Sequence, residues 1–235
     1  MPTRRHSVIG AFLLIIGAIG FVTAEAFTAH GWTDPPYNYR FDFISDLGNP
    51  VPHDFVLGHT VNSPRYFVMN FGFVTQGLLF AIATVLLYRL FRGRSRLIIL
   101  GSGIIHGIGM LLSGVFQQQS VNAAEMAIHW LGAYGIIFGP ITVALVSVLG
   151  RHAGAPAWYR AVSAVLGFGG ILSGLALVSI PAMQTIVGGG AMERITMYGL
   201  FSWQLMTGVS LLIKARRRGV RTSQQLAQTP NTCQS

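Results

Sequence analysis

The chain has 235 residues, 51% of them hydrophobic and only 10% charged, with a formal net charge of +9. A soluble domain carries about 25% charged residues, so this chain cannot cover a water-facing surface and belongs to the membrane class, in line with its mean hydropathy of +0.54. The charges form short clusters between apolar runs rather than one basic face, which excludes nucleic acid as a partner, and the lone Cys233 excludes an internal disulfide.

The first element is the apolar run Val8–Phe27, preceded by Arg4, Arg5 and His6. Twenty residues at ~1.5 Å rise cover ~30 Å, the thickness of a hydrocarbon core. A signal peptide competes with this reading, because Ala24-Glu25-Ala26 has the form of an A-x-A cleavage site. The run is longer than the usual apolar region and carries Glu25, so a retained helix is expected over 8–27. A polar, turn-rich loop follows at 29–64, then spans at 66–90, 97–116, 123–149, 161–181 and 195–213. The connectors hold Arg89, Arg92, Arg94 and Arg96, then Gln117–Asn122, then Arg151 with Pro156 and Arg160, then Gly188-Gly189-Gly190. Residues 214–235 turn from basic to Gln/Ser/Thr/Pro-rich and are expected to be a disordered cytoplasmic tail. The fold class is therefore all-α: one polytopic domain over 1–213, a six-helix transmembrane bundle. Of the 16 Lys and Arg, all but Arg40, Arg65 and Arg194 fall at the N-terminus, in alternate connectors or in the tail. The positive-inside rule then places both termini in the cytoplasm and the 29–64 loop outside, in a cytoplasmic membrane of bacterial type.

Gly103/Gly107, Gly135/Gly139 and Gly170/Gly174 are spaced for close helix packing. Pro140 is expected to kink the fourth span and free a carbonyl that needs another donor. All seven acids (Glu25, Asp34, Asp42, Asp46, Asp54, Glu125, Glu193) fall at or beyond the outer helix ends. His106 lies ~14 Å into its span, on one face with Ser102, Gly109 and Ser113. Glu125 and His129 form an i, i+4 pair, and Asn70 with Gly77 and Gln204 with Gly208 extend polar stripes on two other helices. These stripes predict a polar seam that opens outward beneath the loop, with Glu25, Asp42, Asp46, His59, Asn70, His106, Ser113, Glu125, His129 and Gln204 as its ligand-facing residues. The alternative is structural: a buried neutral His tied to a Ser or a carbonyl, and a Glu125–His129 pair at the interface.

Chemistry has several candidate sets and no decisive motif. His106, His129, Glu125, Asp46 and Ser45 are the catalytic candidates, with Ser45 needing His59 or His129 as its base. His59, His106 and His129, with Asp46, are the candidate metal ligands, but no HExxH occurs and the 125–129 pair is one residue longer than the Glu-x-x-His of di-iron bundles. No cofactor is predicted; zinc and haem stay open, although haem ligation by both span histidines would need depths that differ by ~6 Å to be reconciled.

The loop itself reads Tyr37–Pro52, YNYRFDFISDLGNPVP. Ser45-Asp46 followed by Gly48-Asn49-Pro50 is turn chemistry, with Gly48 expected at positive φ. Phe41, Phe43, Ile44, Leu47 and Phe55 are too apolar for a free loop and suggest a lid on the helix ends. The segment Phe43-Ile44-Ser45-Asp46-Leu47-Gly48, with prolines after it and between the first two of six spans, resembles the bacterial membrane family of domain of unknown function 998. It is similar, more distantly, to the Frag1/DRAM/Sfk1 six-span family, though His53-Asp54 stands where that family carries Glu after the prolines. The first resemblance implies the topology and no activity; the second implies lipid handling. Together these readings give a protein that binds a membrane lipid or small amphipathic ligand in an outward pocket capped by the loop. The competing reading is an intramembrane hydrolase or transferase, and a small transporter ranks behind both because no pair of broken helices stands out.

Overall fold

The computed structural model describes residues 4–228. Helix α1 spans Arg4–Gly31 and is followed by the loop, whose regular pieces are one 3-10 turn at Ser45–Gly48 and the strands β1, Asp54–Val56, and β2, His59–Val61. The strands pair antiparallel, with Asp54 opposite Val61 and Val56 opposite His59. Leu57 and Gly58 join them with φ of 50° and 89°, the doubly positive pair of a tight primed turn. This hairpin is an addition to the expected all-helical fold.

The remaining helices are α2, Tyr66–Leu87, α3, Ser95–Val115, α4, Ala123–Ile136, α5, Phe138–Leu149, α6, Ala157–Ser179, the single turn α7, Pro181–Met183, and α8, Gly189–Gln228. Local chemistry sets several of these boundaries. The Asn122 side chain caps α4 by accepting from the Ala124 and Glu125 amides at 3.1 and 3.2 Å. Pro156 is the N-cap of α6 and starts it before the predicted residue 161. Pro181 is the first residue of α7, where its missing N–H costs nothing. The Gly188–Gly190 run, expected in a connector, instead ends a π-helical turn and opens α8. At its far end α8 continues past Ile213 to Gln228, where a disordered tail is expected; residues 214–228 are rich in Arg, Gln and Ala, all strong helix formers. Residues 229–235 of that tail lie outside the described residues.

Five helical stretches are long and apolar enough to cross a membrane: Arg5–Gly31, Tyr66–Leu90, Ser95–Val115, Ala123–Ala153 and Ala157–Ser179. The sixth predicted span lies inside α8, where Ser202, Gln204, Thr207 and Ser210 dilute the apolar run. The helices pack as a closed ring, α1 on α2, α2 on α3, α3 on α4 and α5, α5 on α6, α6 on α8, and α8 back on α1. The loop, the 116–122 connector and the α6–α8 connector share one end of this ring, and the arginine connector lies at the other. Phe21 forms the centre of one contact between helices, with its ring 5.1 Å from Phe73 and 4.9 Å from Phe201. Large apolar side chains such as Phe71, Leu131, Val165 and Leu172 point outward and stay exposed, as a lipid-facing surface requires.

The predicted glycine pairs sit at helix crossings. A Cβ on Gly107 would approach Gly77 O to 2.9 Å, and one on Gly135 would approach Gly109 Cα to 2.9 Å. The predicted kink is a break: α4 ends at Ile136 and α5 begins at Phe138. Pro140 has no N–H for the Ile136 carbonyl. His106 supplies the substitute, with Nδ1 2.9 Å from Ile136 O, so the proton resides on Nδ1. The ring also meets Phe80 edge-on at 4.8 Å. Loss of a hydrogen bond that leaves a buried carbonyl unpaired costs about 1–3 kcal/mol. His106→Leu is therefore expected to lower thermal stability clearly in the natural background. In a Pro140→Ala background, where the restored N–H serves the same carbonyl, the effect shrinks to roughly half. Equal losses in both backgrounds, measured by thermal unfolding in detergent, contradict this pairing.

Candidate functional site

The loop is held down by three sets of polar contacts. The first centres on Arg194, at the start of α8. Its Nε donates to Glu25 Oε1 at 2.9 Å, and Nη1 donates to Tyr39 O and Asp42 O at 2.6 and 3.1 Å. Nη2 donates to Tyr37 Oη at 2.5 Å, and Tyr198 Oη donates to the other Glu25 oxygen at 3.0 Å. Tyr37 passes its own proton to Phe43 O at 2.9 Å. Both charges of the pair are buried. The loop backbone lies directly on the glycine run, with Gly190 N and Ala191 N donating to Phe41 O and Arg40 O. A Cβ on Gly190 would stand 2.0 Å from Asp42 O, so only glycine admits the loop there.

The second set surrounds Asp46, which is fully buried. Oδ2 accepts from Phe43 N and meets His59 Nε2, both at 2.8 Å, and Oδ1 accepts from Gln118 Nε2 at 2.7 Å. Gln118 Oε1 in turn accepts from Ser45 Oγ at 3.2 Å. Ile44 N donates to Glu193 Oε2 at 2.5 Å. The third set ties the hairpin to the 116–122 connector: Asp54 accepts from Asn49 Nδ2 at 2.9 Å, from Ser120 N at 2.8 Å, and from Ser120 Oγ. Gln118, Gln119 and Ser120 thus form one polar ledge, with Gln119 donating to Glu125.

Beneath this roof lies a cavity of about 340 Å³, at the low end of the usual size for a ligand pocket. Its walls are Phe43, Ile44, Leu57, Phe73, Trp130, Ala133, Tyr134, Ile136, Ile137, Gly174, Leu177, Val178 and Met197, and its polar groups are Ser45, Ser113, Gln118, His129, Gln184, Glu193 and Thr196. Ser113 Oγ is buried and has no hydrogen-bond partner among the described residues. His129 Nδ1 is 2.9 Å from Phe116 O, so that nitrogen carries the proton and Nε2 keeps a lone pair.

Of the predicted site residues, the structure brings Ser45, Ser113 and His129 to this cavity. Asp46 and His59 lie behind its roof, while Glu25 and Asp42 belong to the Arg194 cluster. Asn70 lies under the turn, donating to Gly48 O at 3.0 Å. Glu125 holds the ledge. His106 and Gln204 are core residues rather than cavity residues: His106 closes the helix break, and Gln204 shares the α1–α2–α8 interior with Gln76. A Cβ on Gly17 would meet Gln76 Oε1 at 2.6 Å and Gln204 Oε1 at 3.7 Å, and neither amide has a partner among the described residues. The predicted seam is therefore divided: the α8 stripe of Gln204 and Gly208 turns toward α1, while on α2 Asn70 holds the loop turn and Gly77 packs on Gly107 and Met110 of α3. Gly48 also departs from expectation. It is not among the residues with positive φ; its tie to glycine is instead the close neighbour, since a Cβ would stand 2.3 Å from Asn70 Oδ1 and displace the side chain that donates to Gly48 O.

The candidate metal ligands are separated as well. His59 pairs with Asp46, His106 with Ile136 O and His129 with Phe116 O, and no group of three or more His, Cys, Asp or Glu poised for a metal ion occurs among the described residues. Ser45 gives its proton to Gln118 instead of either histidine.

The family model described as protein of unknown function, DUF998, matches residues 8–210. The chain belongs to this family. No curated protein and no solved structure matches it significantly. The match takes in the whole roof, the ledge and the cavity of this DUF998 chain, including Gln118, Glu193 and Arg194, which the sequence reading does not single out. Arg194 carried the one available signal: it is a cation at the start of a helix on the side where cations are scarce.

The Asp46–His59 contact makes roof stability depend on pH. Asp46 raises the His59 pKa above its ordinary 6.5, chiefly through their hydrogen bond. Burial pushes the Asp46 carboxyl above its ordinary 3.8, against the pull of His59 and the Phe43 amide. Both folded values are raised, so both contributions are complete at low pH and are lost as pH rises, His59's from about 6.5 upward through its raised value. Thermal stability is expected to fall between roughly pH 6 and pH 9, by about 1 kcal/mol through His59 and further through Glu193, whose carboxyl burial pushes up to about 8, so His59→Gln should make the slope shallower. A slope as steep in the variant as in the natural protein contradicts the assignment.

Proposed function

We propose that this DUF998 chain is a six-span protein of the cytoplasmic membrane. Both termini are inside, and it holds one lipid or small amphipathic molecule in the outward-facing cavity beneath its first loop. The single observation that carries the reading is the division of that cavity. An aromatic and aliphatic wall suits a hydrocarbon portion, while Ser45, Gln118, His129 and Glu193 gather on the roof side with the unpartnered Ser113 hydroxyl on the cavity border. Buried polar atoms are normally satisfied, and the polar group of an amphipathic guest is one means of satisfying Ser113. The sidedness is supported by the basic residues at the arginine end and by α8, whose 195–213 portion returns the chain to that end. Ser45 donates its hydroxyl to the Gln118 amide rather than to a histidine, which favours holding the guest over cleaving it.

The test is native mass spectrometry of the protein released from a mild detergent. About one amphipathic molecule per chain is expected to accompany the natural protein. Ala133→Trp, which fills the cavity from α4, should lower that occupancy by about tenfold while melting temperature and elution stay unchanged. Equal retention by a normally folded Ala133→Trp variant contradicts the proposal.

A further inference from the structure

The end of the bundle opposite the loop contains a second cavity, of about 190 Å³. It runs from Phe80, deep between the helices, to Leu90, Phe91, Ser210 and Lys214 at its mouth. It is separate from the cavity under the loop: Phe80 borders the inner cavity, Ile136 borders the outer one, and the His106 ring stands between them, 4.8 Å from the Phe80 ring and bonded to Ile136 O.

Leu90 and Phe91 also form the apolar edge of a shallow surface pocket whose other walls are Arg89, Arg92 and Arg96. A greasy interior therefore opens directly onto a basic rim. Among the described residues, that rim has no carboxylate counter-ion. All seven acidic side chains of the chain lie at the other end, and the two ion pairs among the described residues, His59–Asp46 and Arg194–Glu25, are there too. Arg89 donates to Tyr88 Oη, a neutral acceptor, at 3.0 Å. Arg89, Arg92, Arg96 and Lys214 are exposed, so their charge faces outward rather than being used in the fold.

From this juxtaposition we infer that the arginine end carries a binding site for an anionic phospholipid, with its phosphate on Arg89, Arg92 and Arg96 and part of one acyl chain in the cavity that ends at Phe80. Charge alone draws anionic headgroups to any basic connector; the adjoining cavity is what makes this a site with room for one chain. The inference is independent of the outer cavity's occupant.

The full chain is reconstituted in phosphatidylcholine nanodiscs with and without phosphatidylglycerol at fixed ionic strength. Its melting temperature is recorded, along with the lipids retained on ejection into a mass spectrometer. Phosphatidylglycerol is expected to raise the melting temperature and to be retained in preference to phosphatidylcholine. The surface variant Arg89→Gln/Arg92→Gln/Arg96→Gln should lose that preference by about tenfold or more. Ser210→Trp, which blocks the cavity mouth, should lose it as well, whereas Ala133→Trp should keep it. Preference that persists in the triple variant, or in a folded Ser210→Trp protein, overturns the inference. Should Ser210→Trp not fold, glycerol phosphate replaces it as probe: a stabilisation of the natural protein equal to that from phosphatidylglycerol overturns the site, and its absence supports it.

Discussion

The buried pair of Arg194 and Glu25 is the contact on which the site depends. An isolated charge in this environment costs several kcal/mol, and an ion pair recovers that only when its remaining donors and acceptors are also satisfied. Here they are: the guanidinium meets one carboxylate, two loop carbonyls and a tyrosine hydroxyl. The loop carbonyls of Tyr39 and Asp42 are therefore part of the solvation of a charge inside the protein. Lifting the loop would strip Arg194 of most of its partners, which explains how a long connector can act as a fixed roof over the outer cavity.

That roof has a consistent logic from sequence to site. Apolar Ile44 and Leu47 are driven under the loop by burial, and Asp46 between them must then find donors, which Phe43, His59 and Gln118 supply. The glycine run at 188–190 removes the side chains that would hold the loop off α8. The 116–122 connector contributes acceptors and donors at the matching height. Below, the outer cavity ends at the broken helix, where a histidine replaces the amide that proline lacks. One ring thus serves both as a helix repair and as the partition between two cavities of different chemistry.

The helices were legible because their apolar runs are long and their connectors are rich in Arg, Gly and Pro. The break after Ile136 was half-legible: Pro140 announces a carbonyl without a donor, but only the fold reveals that His106, ~14 Å deep and 30 residues earlier, provides one. The hairpin was hidden because Leu57 occupies a positive-φ position where Asn or Gly is the usual signal. Gly48 poses the converse problem: glycine answers either an unusual backbone angle or a close neighbour, and here the neighbour is Asn70. The polar stripe on α8 is real, yet helical periodicity gives a face and not the helix it faces, so it does not reveal that Gln204 turns toward α1 and away from the cavity. The Arg194 cluster joins residues separated by 169 positions, a relation that no local pattern records.

The clamp is tested most directly by hydrogen exchange of the loop amides in the natural protein and in Arg194→Met. Removing one partner of a buried pair costs about 3–5 kcal/mol, and if that energy holds the roof, exchange at Phe41 to Asn49 should accelerate by at least about a hundredfold while amides within α2 and α3 keep their protection. Unchanged protection across the loop in the variant would mean that the roof is held by something else, and the structural account of the site would fail with it.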